Sequence, residues 1–147
     1  MDIFMKVVYT DKQLYGEDGL HFAHIGDAGL DLRCATDFVI DPHSTRFVYC
    51  GIRIQLPHGT FGAIRSRSGL ARRMGVDAID GTIDENFRGD IGVTMRNSSS
   101  APAAFKRGDR ICQLVVIPYI PVIPEAFDYL DEDENRGTSG YGSTGLK

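Results

Sequence analysis

Six short runs rich in β-branched and aromatic residues, separated by turn signals, constrain the fold of this chain more than any other feature. They are Ile3–Thr10, Leu30–Ile40, Arg46–Leu56, Thr60–Ser66, Asp90–Asn97 and Ile111–Ile120. Between them stand Asp41-Pro42, Pro57-His58-Gly59, the polar stretch from Asn97 to Pro102, and Arg107-Gly108-Asp109, residue types that end strands and reverse the chain. Many short strands at close spacing, with no long helical segments alternating between them, predict an all-β barrel or sandwich and not a parallel α/β sheet. One short helix is expected over Ser68–Met74, where SGLARRM supplies good helix formers and Ser68 an N-terminal cap. From Pro121 to Asn135 the strand pattern fades into prolines and then acid, the composition of an arm leaving the barrel.

With 147 residues the chain forms one domain. A net charge of −4 and the acidic run Asp131–Glu134 exclude the basic stripe of a nucleic-acid binder. No apolar run reaches membrane-spanning length, and MDIFMKVVYTDK lacks the order of a signal peptide. The expectation is a soluble protein inside the cell, in the cytoplasm or, for a eukaryotic or viral source, the nucleus, with neither nucleic acid nor membrane as a partner. Cys34, Cys50 and Cys112 are odd in number, lack CxxC spacing and sit in apolar surroundings, so they read as reduced core residues. His21 and His24 have no second pair at ligand spacing and read as surface-loop residues.

Chemistry is concentrated in five stretches. Gly81–Val93 reads as a strand, turn and strand hairpin with Asp84 near its tip; that carboxylate either stabilises the turn or orients water and takes its proton. In Arg65–Ala71, Ser68 and Gly69 offer a hydroxyl and backbone N–H groups at a helix start beside Arg67, an ordinary cap or an anion site. Asp31 is a strand-edge carboxylate or a ligand for a divalent cation. Gln113 is an amide in an apolar strand, facing solvent or holding a phosphate or water. In the tail, eight of the nine positions from Gly137 to Gly145 are Gly, Ser or Thr. Such a segment has little apolar surface to offset its ordering entropy and is expected to be mobile. Yet Arg136, Ser143, Thr144 and the ring of Tyr141 suit a phosphorylated ligand, so the tail is either a frayed terminus or a lid.

The order of these stretches, AGLDLRCA, RSGLA, GTIDENFRGDIGV, GDRICQLVV and RGTSGYGSTG, resembles the five motifs of the trimeric dUTP pyrophosphatase (dUTPase) family, over about Asp27 to Lys147. The resemblance implies a distorted jelly-roll barrel, β-clip-like, over residues 1–124, with residues 125–147 as a C-terminal arm and mobile lid of the same domain. It implies a homotrimer with three sites shared between subunits, each hydrolysing dUTP to dUMP and pyrophosphate with Mg²⁺, which keeps uracil out of DNA and supplies dUMP for thymidylate synthesis. Asp84 matches the catalytic aspartate. Backbone groups of Gly81, Thr82, Ile83 and Gly92 would read the uracil edge, and Phe87 would pack on the deoxyribose and exclude a 2′-hydroxyl. Arg67, Ser68, Gly69 and Gln113 match phosphate-binding positions, with Arg67–Gly69 coming from a subunit neighbouring the Asp84 hairpin. Asp31 matches an aspartate that approaches Mg²⁺ through water, the metal being held mainly by the triphosphate. Arg136 matches the arginine on the γ-phosphate, Tyr141 the ring stacked on uracil, and Gly142, Ser143 and Thr144 the positions beside base and phosphates.

Four positions depart from the family pattern. Ser66 replaces a proline and predicts a less rigid loop; Asn86 replaces a frequent Asp or small residue, and Phe87 the commoner Tyr; Asp80 introduces a carboxylate near the base pocket that is harmless only if it points to solvent. Two alternatives are disfavoured by the residues present. A dCTP deaminase needs a glutamate where this chain has Thr94, and a noncatalytic trimeric scaffold would have no use for Asp84 or the tail.

Overall fold

Alternation with period two decides which side chains enter the core. In β2 (Leu30–Arg33) Leu30 and Leu32 point inward while Asp31 and Arg33 stay partly exposed, and β3 (Phe38–Ile40) and β5 (Ile52–Gln55) repeat the pattern. The remaining strands are β1 (Lys6–Tyr9), β4 (Ser44–Tyr49), β6 (Thr60–Ser66), β7 (Val76–Ala78), β8 (Gly81–Ile83), β9 (Gly92–Asn97), β10 (Ala103–Phe105) and β11 (Arg110–Pro118), with one helix, α1 (Ser68–Met74). This computed structural model describes residues 1–146; Lys147, the last residue of the expected arm, lies outside the described residues. The all-β expectation with one short helix is what the chain forms.

The strands make four antiparallel sheets, ordered β1-β5, β10-β3, β2-β11-β6-β8 and β4-β9-β7, wrapped around one core. Leu32, Ile40, Ile52, Ile64, Ile91, Met95, Ile111 and Leu114 are each under 2% exposed, and burial of side chains this size contributes about 1.5–3 kcal/mol apiece. Cys34, Cys50 and Cys112 are free and buried among them, as the sequence predicts. The one fully buried polar side chain, among the described residues, is Asn97. Its amide donates to the carbonyls of Ile40 and Ala101 and accepts from Ser99, which ties β3 to the turn after β9 without leaving an orphaned polar atom.

Several local expectations need correction. The run Leu30–Ile40 divides into β2 and β3, and Arg46–Leu56 divides at Gly51, whose φ of 69° makes the turn. β7 and β10 are too short to carry a readable pattern. Arg67, not Ser68, occupies the cap position of α1, with extended backbone and no side-chain cap bond; the chain enters the helix straight from β6, so Ser68 is already helical. Gly75 ends the helix in the left-handed conformation, donating its N–H to Ala71.

The largest correction concerns the hairpin. Gly81–Ile83 and Gly92–Val93 do not pair with each other: β8 joins β6, and β9 joins β4 and β7. The segment between them crosses from one sheet to the other, passing through Ile91, which bonds Ile52 and Cys50.

Candidate active site

One half of the site is built where β2, β11 and β6 run side by side. Register places Gln113 between Asp31 and Arg65, and the chain leaving β6 brings Arg67 over the same point. The Asp31 carboxylate, 17% exposed, meets Arg67 Nε at 3.4 Å and Arg110 at 3.2 Å, and accepts from Gln113 Nε2 at 3.3 Å. Arg67 also donates to the Arg110 carbonyl at 2.9 Å, which aims its guanidinium. Gly29 lies against the Gln113 side chain, where a Cβ would stand 3.1 Å away. Asp31, Arg67 and Gln113, read separately in the sequence, are therefore one cluster. Arg110 is a fourth member the sequence reading missed, although GDRICQL carries it in plain view. Ser68 and Gly69 begin α1 beside the cluster, and among the described residues their N–H groups have no bonded partner.

Ser66, where the family pattern has proline, does not loosen this loop. Its hydroxyl donates to the Ala78 carbonyl and accepts from the Ala78 N–H, both at 3.0 Å, so the serine pins β6 to β7. The Asp80 side chain is 77% exposed and faces Arg65 at 3.4 Å, so it points to solvent.

The second half surrounds Asp84. The last bond between the two limbs is Ile79 N–H to Thr94 O, 2.8 Å. Beyond it the limbs part, because β8 is drawn to β6 and β9 to β4. Gly81, Thr82 and Ile83 thus form the free edge of one sheet, while Gly92 and Val93, paired with Tyr49 and Val48 of β4 on one side, have no strand on the other. These are open N–H and C=O groups on rigid backbone, suited to a flat ligand with donors and acceptors on its rim. The exposed Phe47 ring lies over Gly92, where a Cβ would displace it. Phe87 lies over its own loop at Gly89, also without space for a Cβ, and keeps 45% of its surface exposed.

Asp84 itself is exposed, and among the described residues its carboxylate accepts no hydrogen bond. It borders a cavity of about 650 Å³ lined by His58, Phe61, Thr82, Asp84, Glu85, Asn86 and Tyr119. The neighbouring Glu85 is fully engaged: its carboxylate meets His58 Nδ1 at 2.7 Å and accepts from Gly59 N–H and Tyr119 O–H, each at 2.9 Å. The His58 bond, then the Gly59 and Tyr119 bonds, hold this carboxyl below its ordinary value of 4.5. A lowered value means that these contacts favour the fold above pH 4.5 and are lost as pH falls through the lowered value.

The tail residues do not join either half within the chain. From Pro118 to Leu146 every residue except Gly140 is exposed. Among the described residues Arg136 bonds only within its own segment, its Nε to Ser139 O and its backbone N–H to Asp133. Tyr141 is wholly exposed, and among the described residues Gly142, Ser143 and Thr144 make no hydrogen bond to the barrel. Among the described residues no group of three His, Cys, Asp or Glu side chains is placed to hold a metal, and no helix is long and apolar enough to cross a membrane.

The dUTPase family profile matches residues 19–145. The deoxyuridine 5′-triphosphate nucleotidohydrolase of Corynebacterium glutamicum is 45% identical over 144 residues, covering 96% of this chain and 94% of that one. The enzyme of that name from Orientia tsutsugamushi is 41% identical, covering 92% and 97%. Among solved structures, a mutant Staphylococcus bacteriophage 80alpha dUTPase with dUpNHpp superposes with a TM-score of 0.88 at 20% identity, over 97% of this chain and 99% of that one. The dUTPase from phage phi11 of S. aureus, described with a structural Mg(II) ion, gives 0.79 at 18% identity, over 88% and 100%. At these identities the structural likeness speaks for the fold, a jelly-roll-like barrel. The sequence matches speak for more: the chain belongs to the dUTPase family.

Proposed function

We propose that this protein hydrolyses dUTP to dUMP and pyrophosphate, and that the observation carrying this reading is the unpartnered carboxylate of Asp84 beside two parted backbone edges. Uracil enters between the edges of Gly81–Ile83 and Gly92, where fixed donors and acceptors reproduce a pairing partner. Cytosine, with its rim polarity reversed, would leave those groups unpaired, and such mismatches cost more than any apolar misfit. Phe87 stacks on the deoxyribose and leaves no space for a 2′-hydroxyl. Asp84 holds the water that attacks the α-phosphorus and takes its proton, and pyrophosphate departs.

The triphosphate is bound by Arg67, Ser68, Gly69 and Gln113. Asp31 is a hard oxygen donor, and a single carboxylate together with substrate phosphates is how Mg²⁺ is usually held, in place of an all-protein cage. The residues present therefore fit that ion, with Asp31 reaching it through water; when bound, it neutralises phosphate charge. Arg67 and Arg110 already face Asp31 and orient its carboxylate.

Within one chain the two halves lie at opposite ends of β6. Asp84 follows Ile83, which registers with Gly62, and Arg67 comes five residues after Gly62, about 16 Å along a strand. That separation supports a homotrimer in which the Asp84 edge of one subunit faces the Arg67 cluster of a neighbour. The arm supports it too: Ile120, Val122, Ile123, Phe127, Tyr129 and Leu130 are all exposed, an apolar series that calls for cover by another chain. In this reading residues 125–147 cross to a neighbouring site, bringing Arg136 to the γ-phosphate, Tyr141 onto the base, and Gly142, Ser143 and Thr144 alongside. The enzyme works on the intracellular nucleotide pool, keeping uracil from DNA and providing dUMP.

Turnover in oxygen-18-labelled water tests the direction of attack. Mass spectrometry is expected to find the label in dUMP and none in pyrophosphate. Label in pyrophosphate would place the attack at the β-phosphorus and remove the role given to Asp84.

A further inference from the structure

We infer that Glu85 is a positioning residue for Asp84. The inference rests on the role just proposed for Asp84 and extends it to the side chain next in sequence, which the comparisons leave without a role. Asp84 sits on a crossover, not on a hairpin, so no partner strand holds its far side. Its near side is fixed by β8, where Ile83 pairs with Gly62. On the far side the Phe87 N–H closes a turn onto the Asp84 carbonyl at 3.0 Å and Arg88 donates to the Glu85 and Phe87 carbonyls within the same loop; the restraint that ties this loop to the barrel is the Glu85 carboxylate.

Three donors converge on that carboxylate from two distant segments. His58 and the Gly59 N–H come from the turn between β5 and β6, and the Tyr119 hydroxyl from the first residue beyond β11. The receiving surface is itself stiff, because Thr60 Oγ1 donates to Pro57 O at 2.7 Å and Tyr119 N–H to Gly59 O at 3.0 Å. Bonds to an ionised acceptor are among the stronger ones, and the donors approach from different directions. The Tyr119 hydroxyl bond also ties the root of the C-terminal arm to the Asp84 loop. Glu85 thereby supplies on one side what β6 supplies on the other, and the free carboxylate between them is held at a fixed place.

A positioning role separates from a role in reaction or folding by the pattern of variants. In full-length protein with Mg²⁺ and dUTP, Glu85→Ala is expected to lower kcat by about 10–100-fold, the cost of a misplaced reacting group, with KM changed less than about twofold. Glu85→Gln is expected to restore most of the rate: its amide oxygen can accept from Gly59 and Tyr119, and its NH₂ can donate to His58 Nδ1 in the other tautomer. Tyr119→Phe is expected to give a smaller loss that disappears in the Glu85→Ala background, since both act through one carboxylate. Circular dichroism and thermal unfolding check the fold, and the two milder variants carry the test if Glu85→Ala does not fold. An unchanged kcat in Glu85→Ala, a Glu85→Gln variant as slow as Glu85→Ala, or fully additive losses would overturn the inference. Failure of the wild-type protein to hydrolyse dUTP would instead strike at the proposed function, before any variant is compared.

Discussion

Replacing Asp84 by Asn is expected to cut turnover of dUTP by about 10²–10⁴-fold, the range for loss of a positioned base, while nucleotide affinity stays close to wild type. Asparagine keeps the size of the side chain and one acceptor oxygen, so it still touches a water, but it cannot accept the proton. Binding should survive because the groups assigned to base and phosphates lie on other residues. The fold should survive as well: the Asp84 carboxylate is exposed, and among the described residues it accepts no hydrogen bond, so nothing in the barrel depends on its charge. Single-turnover kinetics with equilibrium binding of a non-hydrolysable analogue separates the two effects. A variant that binds and turns over normally would show that another group activates the water, and the loop geometry around Glu85 would lose its purpose.

Removing the chain from Arg136 onward is expected to leave a folded trimer whose turnover falls by at least about 100-fold. An arginine that stabilises transition-state charge on phosphate is commonly worth 10³–10⁵ in rate; Arg136 would do so on the departing pyrophosphate, and the same cut removes the aromatic ring that would cover the base. Stability should be spared because residues 136–146 bury nothing: all but Gly140 are exposed, and their hydrogen bonds run within the tail or back to Asp133. Sedimentation and thermal unfolding of the truncated protein, beside its rate, decide the matter. Full activity would make the segment a frayed terminus. Loss of the trimer would move its role from lid to assembly.

The barrel was legible because its strands alternate cleanly, as in Leu30-Asp31-Leu32 and Ile52-Arg53-Ile54, and because Gly59 and Gly108 mark reversals. Asp31, Gln113 and Arg67 could each be singled out by residue type, but their meeting depends on the register of β11 with β2 and β6, which no local pattern encodes. The hairpin was misread for a related reason. Gly81–Ile83 and Gly92–Val93 look like partners by spacing and turn chemistry, yet each finds a longer strand elsewhere, and tertiary pairing overrides local preference. That exchange is useful to the site, since a closed hairpin would have spent the backbone groups that now stand open. Ser66 shows the limit of reading a departure from a pattern as a loss: a missing proline predicted slack, and the hydroxyl supplies two bonds to Ala78 instead. Glu85 lay beyond sequence reading, because His58 and Tyr119 are 27 and 34 residues away.

Pyrophosphate release from dUTP, dCTP, dTTP and UTP, measured on the purified full-length protein with Mg²⁺, tests the central claim most directly. The parted edges, the Phe87 ring and the Asp84 carboxylate predict rapid release from dUTP and almost none from the other three. Release from dCTP or UTP at a comparable rate, or none from dUTP by a correctly assembled trimer, would contradict the account.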